Sequence, residues 1–173
     1  MVNYVPEAVA AFARTWRIVR KEALWLERTR ARLFSGAIDV AWVSGIDQDD
    51  DVAERVEAFA SRYSRLQDTM GDKLFPRLLE LVGQSGKSLI DRLNQLERIG
   101  LLQNAQDWLV WGNLRNRLIH EYVENPEAFA EALNAANDSA CELAALVGAI
   151  QVWLASIGVD VDQAQVAGFH QGQ

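Results

Sequence analysis

The chain has few of the residues that staple, ligate or interrupt a fold. In 173 residues it holds one cysteine, two histidines and three prolines. A lone cysteine excludes an intrachain disulfide. Its surroundings, Ala140-Cys141-Glu142-Leu143-Ala144-Ala145, read as helix, with Cys141 a small apolar filler rather than a reactive thiol. With His120 the only histidine in the body of the chain and His170 near its end, ligands for a zinc site are lacking. No uninterrupted apolar run approaches the ~20 residues that cross a bilayer. The opening Met1-Val2-Asn3-Tyr4-Val5-Pro6-Glu7 lacks the basic stretch of a signal peptide. The expectation is a cytoplasmic protein with no membrane partner. Strand alternation flanked by hairpin turns is missing, and so is any repeat at a fixed period.

What remains is ordinary globular material, 50% apolar and 24% charged, enough for one domain with a real core. The net charge of −7 argues against a protein that coats nucleic acid nonspecifically. Its distribution is uneven, however. Arg14, Arg17, Arg20, Lys21, Arg28, Arg30 and Arg32 crowd the first helical stretch, opposed locally by Glu22 and Glu27. The acids gather at Asp39, Asp47, Asp49, Asp50, Asp51, Glu54 and Glu57. Such a basic stretch reads either as a solvated helix face or as a surface that steers a phosphate backbone.

Apolar residues recur with a helical period at Val9, Phe12, Trp16, Val19, Ala23 and Leu26, predicting a first helix over about 7–33. Residues 34–49 read as a long irregular connection whose Ile38, Val40, Trp42, Val43 and Ile46 pack on the bundle or on a partner. A second helix starts at Asp49–Asp51, where carboxylates complement free amides. Gly71 and Pro76 predict a kink before Leu78-Leu79. Shorter helices follow over about 88–99 and 104–123, stopped by Gly100 and by Glu124-Asn125-Pro126. A last one covers about 126–157. The predicted class is all-α, four main helices plus a short one, with a helical domain over 1–157 and a flexible tail over 158–173.

Two apparent motifs fail on inspection. Gly86-Lys87-Ser88 resembles the end of a phosphate-binding loop, but the first glycine required falls on Leu81, and a helix precedes it. The acidic run from Asp47 would place a calcium loop's glycine on Val52 and its last glutamate on Ala58. That run reads as a helix start.

One segment gathers chemistry: Arg115-Asn116-Arg117-Leu118-Ile119-His120-Glu121-Tyr122. Arginine offers a planar fork of donors to a phosphate, and histidine exchanges a proton near neutral pH. On an ideal helix Asn116 and His120 share a face, while Arg115 and His120 diverge by roughly 140°. One copy therefore struggles to aim both at a single phosphate, and a two-fold dimer would relieve the difficulty. The plainer reading keeps Arg117 and Glu121 as an i,i+4 pair, Arg115 solvated, His120 a polar surface residue and Tyr122 a core tyrosine. Trp108 and Trp111 read as core.

With the pattern R-N-x-x-x-H-x-Y in a late helix, the chain resembles the HEPN superfamily, specifically its HepT-like toxins. The stretch FASRYSRLQDTMGDKLFPRLL over 59–79 is also similar to longer HepT-like proteins, and the likeness covers roughly residues 7–155. The longer 34–49 connection departs from a minimal member. The resemblance implies an up-down HEPN-like bundle and a metal-independent endoribonuclease that needs no cofactor. It implies a homodimer with a composite site, in which Arg115, Asn116 and His120 are catalytic. It further implies a toxin–antitoxin pair, with an MNT-type nucleotidyltransferase as antitoxin that modifies Tyr122 with AMP. A reading from another class stays open: a noncatalytic helical partner or substrate-binding subunit of a nucleotidyltransferase.

Overall fold

A computed structural model describes residues 4–120 and 125–162. Among these residues the structure is all-helical and no strand occurs. Four long helices stand where four were expected: α1 (Pro6–Leu33), α3 (Asp50–Asp68), α6 (Ala105–His120) and α7 (Pro126–Ser156). The short elements are more numerous than the one predicted. They are α2 (Val40–Ser44), α4 (Phe75–Leu81) and α5 (Leu89–Arg98).

The connection over 34–49 is less irregular than the sequence suggested. The Asp39 carboxylate accepts a 2.8 Å hydrogen bond from the Trp42 amide and so starts α2, which a 3-10 turn over Ile46–Gln48 follows. A five-residue helix is too short to show a period, which is why only its apolar character was legible. Ile38, Val43 and Ile46 are buried, whereas Val40 is exposed.

The predicted kink takes the form of a π-helical stretch, Thr69–Leu74, joining α3 to α4. The Phe75 amide reaches back to Met70 O, five residues earlier. Pro76 follows in the first turn of α4, where its missing N–H and its ring disturb a regular ladder, and the wider turn absorbs that disturbance. Helix α5 opens on a reciprocal capping box between Ser88 and Asp91. It closes at Gly100, whose φ of 80° suits a residue without a Cβ. There the Gly100 and Leu101 amides donate to Glu97 O and Leu96 O at 3.0 and 2.9 Å.

The chain divides into two compact units, each made of separate pieces of sequence. Among the described residues the first comprises 4–21, 68–105 and 145–162. Its core includes Phe12, Trp16, Met70, Leu74, Leu78, Leu93, Ile150 and Leu154. Arg77 donates to Ala11 O at 2.8 Å and to the Thr15 hydroxyl, and Tyr4 Oη donates to Ile157 O at 2.8 Å. Val159 and Val161, just past the end of α7, are buried; residues 163–173 of the predicted tail lie outside the described ones. The second unit comprises, among the described residues, 22–67, 106–120 and 125–144. Phe59, Tyr63, Leu66, Trp108, Leu118, Phe129 and Leu133 fill its core, each large apolar side chain contributing about 1.5–3 kcal/mol. Asn134 on α7 donates to Ile38 O at 2.8 Å and fixes the 34–49 connection there.

By length and composition helix α7 could cross a membrane, a test that the core helix of a globular protein also passes. Counting uninterrupted apolar runs overlooks it. Isolated polar residues, such as Asp138 and Glu142, break the runs while alanine, valine and leucine sustain the average.

Candidate functional site

Arg115, Asn116, Arg117 and His120 lie on α6, in the second unit. Packing fixes how this helix is rotated. Trp108, Leu114 and Leu118 point inward at 3%, 7% and 3% exposure. Trp108 and Trp111 rest against each other with ring centroids 6.0 Å apart. Trp108 is core as predicted, while Trp111 is half-buried.

Two side chains of α3 then grip the backbone of α6. Tyr63 Oη donates to Trp111 O at 3.2 Å and lies 2.8 Å from Ser139 Oγ of α7. One turn along, Gln67 Nε2 donates to Trp108 O at 3.3 Å. Both residues are buried, and Ser139 Oγ also reaches Ala136 O at 3.1 Å. Burial pushes the Tyr63 phenol up to about 12, against a smaller opposing pull from the Ser139 hydrogen bond. The phenol therefore stays neutral and keeps its donor. A helical period through Val56, Phe59, Tyr63 and Leu66 counts Tyr63 as one more apolar residue and passes over Gln67. The available signal was a glutamine four residues after a tyrosine on an otherwise apolar stripe.

This anchoring sorts the motif. Asn116 and His120, one turn apart, are both exposed, so the structure brings them onto one open face. Arg115 is half-buried on the flank of the helix. The divergence of roughly 140° from His120 thus persists on α6. Arg117 is committed elsewhere: its Nη2 donates to Ala128 O of α7 at 3.3 Å and lies 3.9 Å from Glu131 Oε2. Tyr122, the residue expected to carry AMP, and Glu121, the suggested partner of Arg117, lie outside the described residues.

The face that carries Asn116 and His120 is bordered by Ile119 on one flank, at 58% exposure, and by Val110 on the other, at 56%, about 180° apart around the helix. It has a polar centre with apolar flanks and accepts either a polar ligand or a protein surface. In the first unit an open groove of about 660 Å³ is lined by Tyr4, Val5, Glu7, Ala11, Glu80 and Leu81, among others. Its glutamates would repel a phosphodiester, so the groove is a poor place for a polyanion. Among the described residues no group of three or more His, Cys, Asp or Glu side chains is placed to hold a metal ion. Comparison with protein-family models, with curated proteins and with solved structures yields no match to this chain.

Proposed function

We propose that the protein is a HEPN-type, HepT-like endoribonuclease that acts as a homodimer, and that its helices form the up-down bundle of that class. The observation that carries this reading is the placement of Asn116 and His120 together on the open face of a firmly anchored α6, with Arg115 on its flank. A second α6 related by a two-fold axis would bring the flank of one helix to the histidine of the other, completing the set across the interface. Exposed Ile119, one turn from Arg115 on the same side of the helix, supplies apolar surface for such a contact.

In the proposed reaction the RNA 2′-hydroxyl attacks the adjacent phosphorus. The O2′–P bond forms as the P–O5′ bond breaks, and the products are a 2′,3′-cyclic phosphate and a 5′-hydroxyl. His120 transfers a proton or orients the attacking hydroxyl, and Asn116 positions the phosphodiester. Arg115 offsets the charge that builds on the non-bridging oxygens. No metal enters the scheme. In the cell the protein would be the toxin of a toxin–antitoxin pair, restrained by an MNT-type nucleotidyltransferase that attaches AMP to Tyr122.

The deciding experiment incubates purified protein with total RNA in EDTA, beside His120→Ala. Cleavage to cyclic-phosphate ends by the native protein alone supports the proposal. Intact RNA in both samples, with tight binding to a nucleotidyltransferase, would mean that the chain is a noncatalytic partner.

A further inference from the structure

Helix α1 is one unbroken helix of 28 residues. Its seven basic and three acidic residues leave it at +4, so the rest of a chain of net charge −7 carries −11. Positive charge is therefore concentrated on this one element. Burial shows where it points. Phe12, Trp16, Val19, Leu26 and Leu33 face inward, whereas Arg14, Arg17, Arg20, Lys21, Arg28 and Arg32 are exposed. At 100° per residue those six cations fall within roughly 120° of arc. Glu22 is half-buried, and Glu27 is occupied by Arg30 at 2.7 Å. From Arg14 to Arg32 the partly exposed Glu27 is paired with Arg30 at the edge of the stripe, which runs for about 27 Å at 1.5 Å per residue.

Apolar groups are interleaved with the cations. Ile18, Leu24 and Trp25 are 49%, 50% and 44% exposed. Trp25 is also held in place: the Arg62 guanidinium lies 5.1 Å from its ring centroid while donating to Trp25 O at 3.2 Å. A fixed indole among arginines is a stacking surface for an unpaired base, and the surrounding cations match a phosphate backbone.

We infer that the exposed face of α1 is a binding surface for single-stranded RNA, its cations tracking phosphates and Trp25 stacking on a base. The inference deepens the ribonuclease reading and rests on it for the identity of the polyanion. A membrane surface fits less well. The broad apolar face that an interfacial helix would insert is already buried in the protein core.

The test is fluorescence anisotropy of a labelled single-stranded RNA oligonucleotide, titrated with the full chain as His120→Ala over a salt series. The comparison protein adds Arg17→Gln, Lys21→Gln and Arg28→Gln. Removing one cation that neutralises a phosphate should flatten the slope of log affinity against log salt by about 0.7, so the three together by about 2. Affinity near 0.1 M salt should fall roughly a hundredfold. Replacing Arg17 and Arg28 by Lys instead should preserve the slope. An unchanged slope and affinity in the triple variant overturns the inference. So does charge-dependent binding to phosphatidylserine vesicles by a protein that leaves RNA free. The two readings fail separately. RNA binding through α1 without any cleavage by the native chain sinks the nuclease, and cleavage with unaltered salt dependence in the triple variant sinks the α1 surface.

Discussion

Arg115 and His120 differ in how the fold treats them, the first half-buried and the second open. They also perform different tasks in the proposed reaction, so neither can replace the other. Arg115→Ala and His120→Ala should each lower RNA cleavage by a factor of about 10² or more. Circular dichroism should show native helix content in both, and full activity in both would mean that the wrong residues have been assigned. Tyr122 gives a covalent readout. Coexpression with the proposed nucleotidyltransferase partner should add the mass of AMP to the intact chain, and Tyr122→Phe should lose that addition. Tyr63 makes a prediction about pH. Its folded pKa of about 12 exceeds the ordinary value of 10.0, so the folded state holds the proton more tightly. Its contribution is full below pH 10, falls as pH rises, and is gone above about 12. The loss should be on the order of 2–3 kcal/mol, read as a steeper alkaline decline in denaturant stability than Tyr63→Phe shows. At this scale the sequence was half legible. Arg115, Asn116 and His120 announce themselves by type and spacing. The hold of Tyr63 and Gln67 on α6 does not, because the carbonyls they grip belong to Trp111 and Trp108 and every residue has such a carbonyl.

At the scale of elements, helix ends were easier to foresee than helix breaks. Gly100 and Pro126 act through their own backbone chemistry, so their effect is local and visible in one line of sequence. The same holds for Ser88, whose hydroxyl accepts the Asp91 amide while Asp91 returns the contact at 3.1 Å. Ser88→Ala should cost about 1 kcal/mol, measured by thermal or denaturant unfolding. A loss near zero would show that α5 is held by Leu93 and Leu96 alone. The π-helical stretch was only partly foreseeable. Gly71 and Pro76 marked a disturbance, but whether it became a bend, a break or a wider turn depended on which neighbours bury Met70 and Leu74. Helix α2 was hidden for the opposite reason: its apolar residues are plain, and its length is too short to carry a period.

For the whole molecule, all-helical architecture followed from composition and period together, since no segment offered an alternation for strands to use. The division into two compact units did not, because each collects pieces distant in sequence. Assembly is where the functional proposal is most exposed. Light scattering should report about twice the 19.4 kDa of one chain. Ile119→Asp should return it to a single chain and abolish cleavage together, because the proposed composite site needs both copies of α6. A native protein found only at 19.4 kDa would rule out a composite site. The solitary thiol gives this question a ruler. Cys141 is exposed on α7 and has no second cysteine to compete for a reagent. A nitroxide attached there labels each chain once, at a known point on a rigid helix. Two-fold pairing would then produce one sharp inter-spin distance, asymmetric aggregates would smear it, and isolated chains would give no dipolar signal at all.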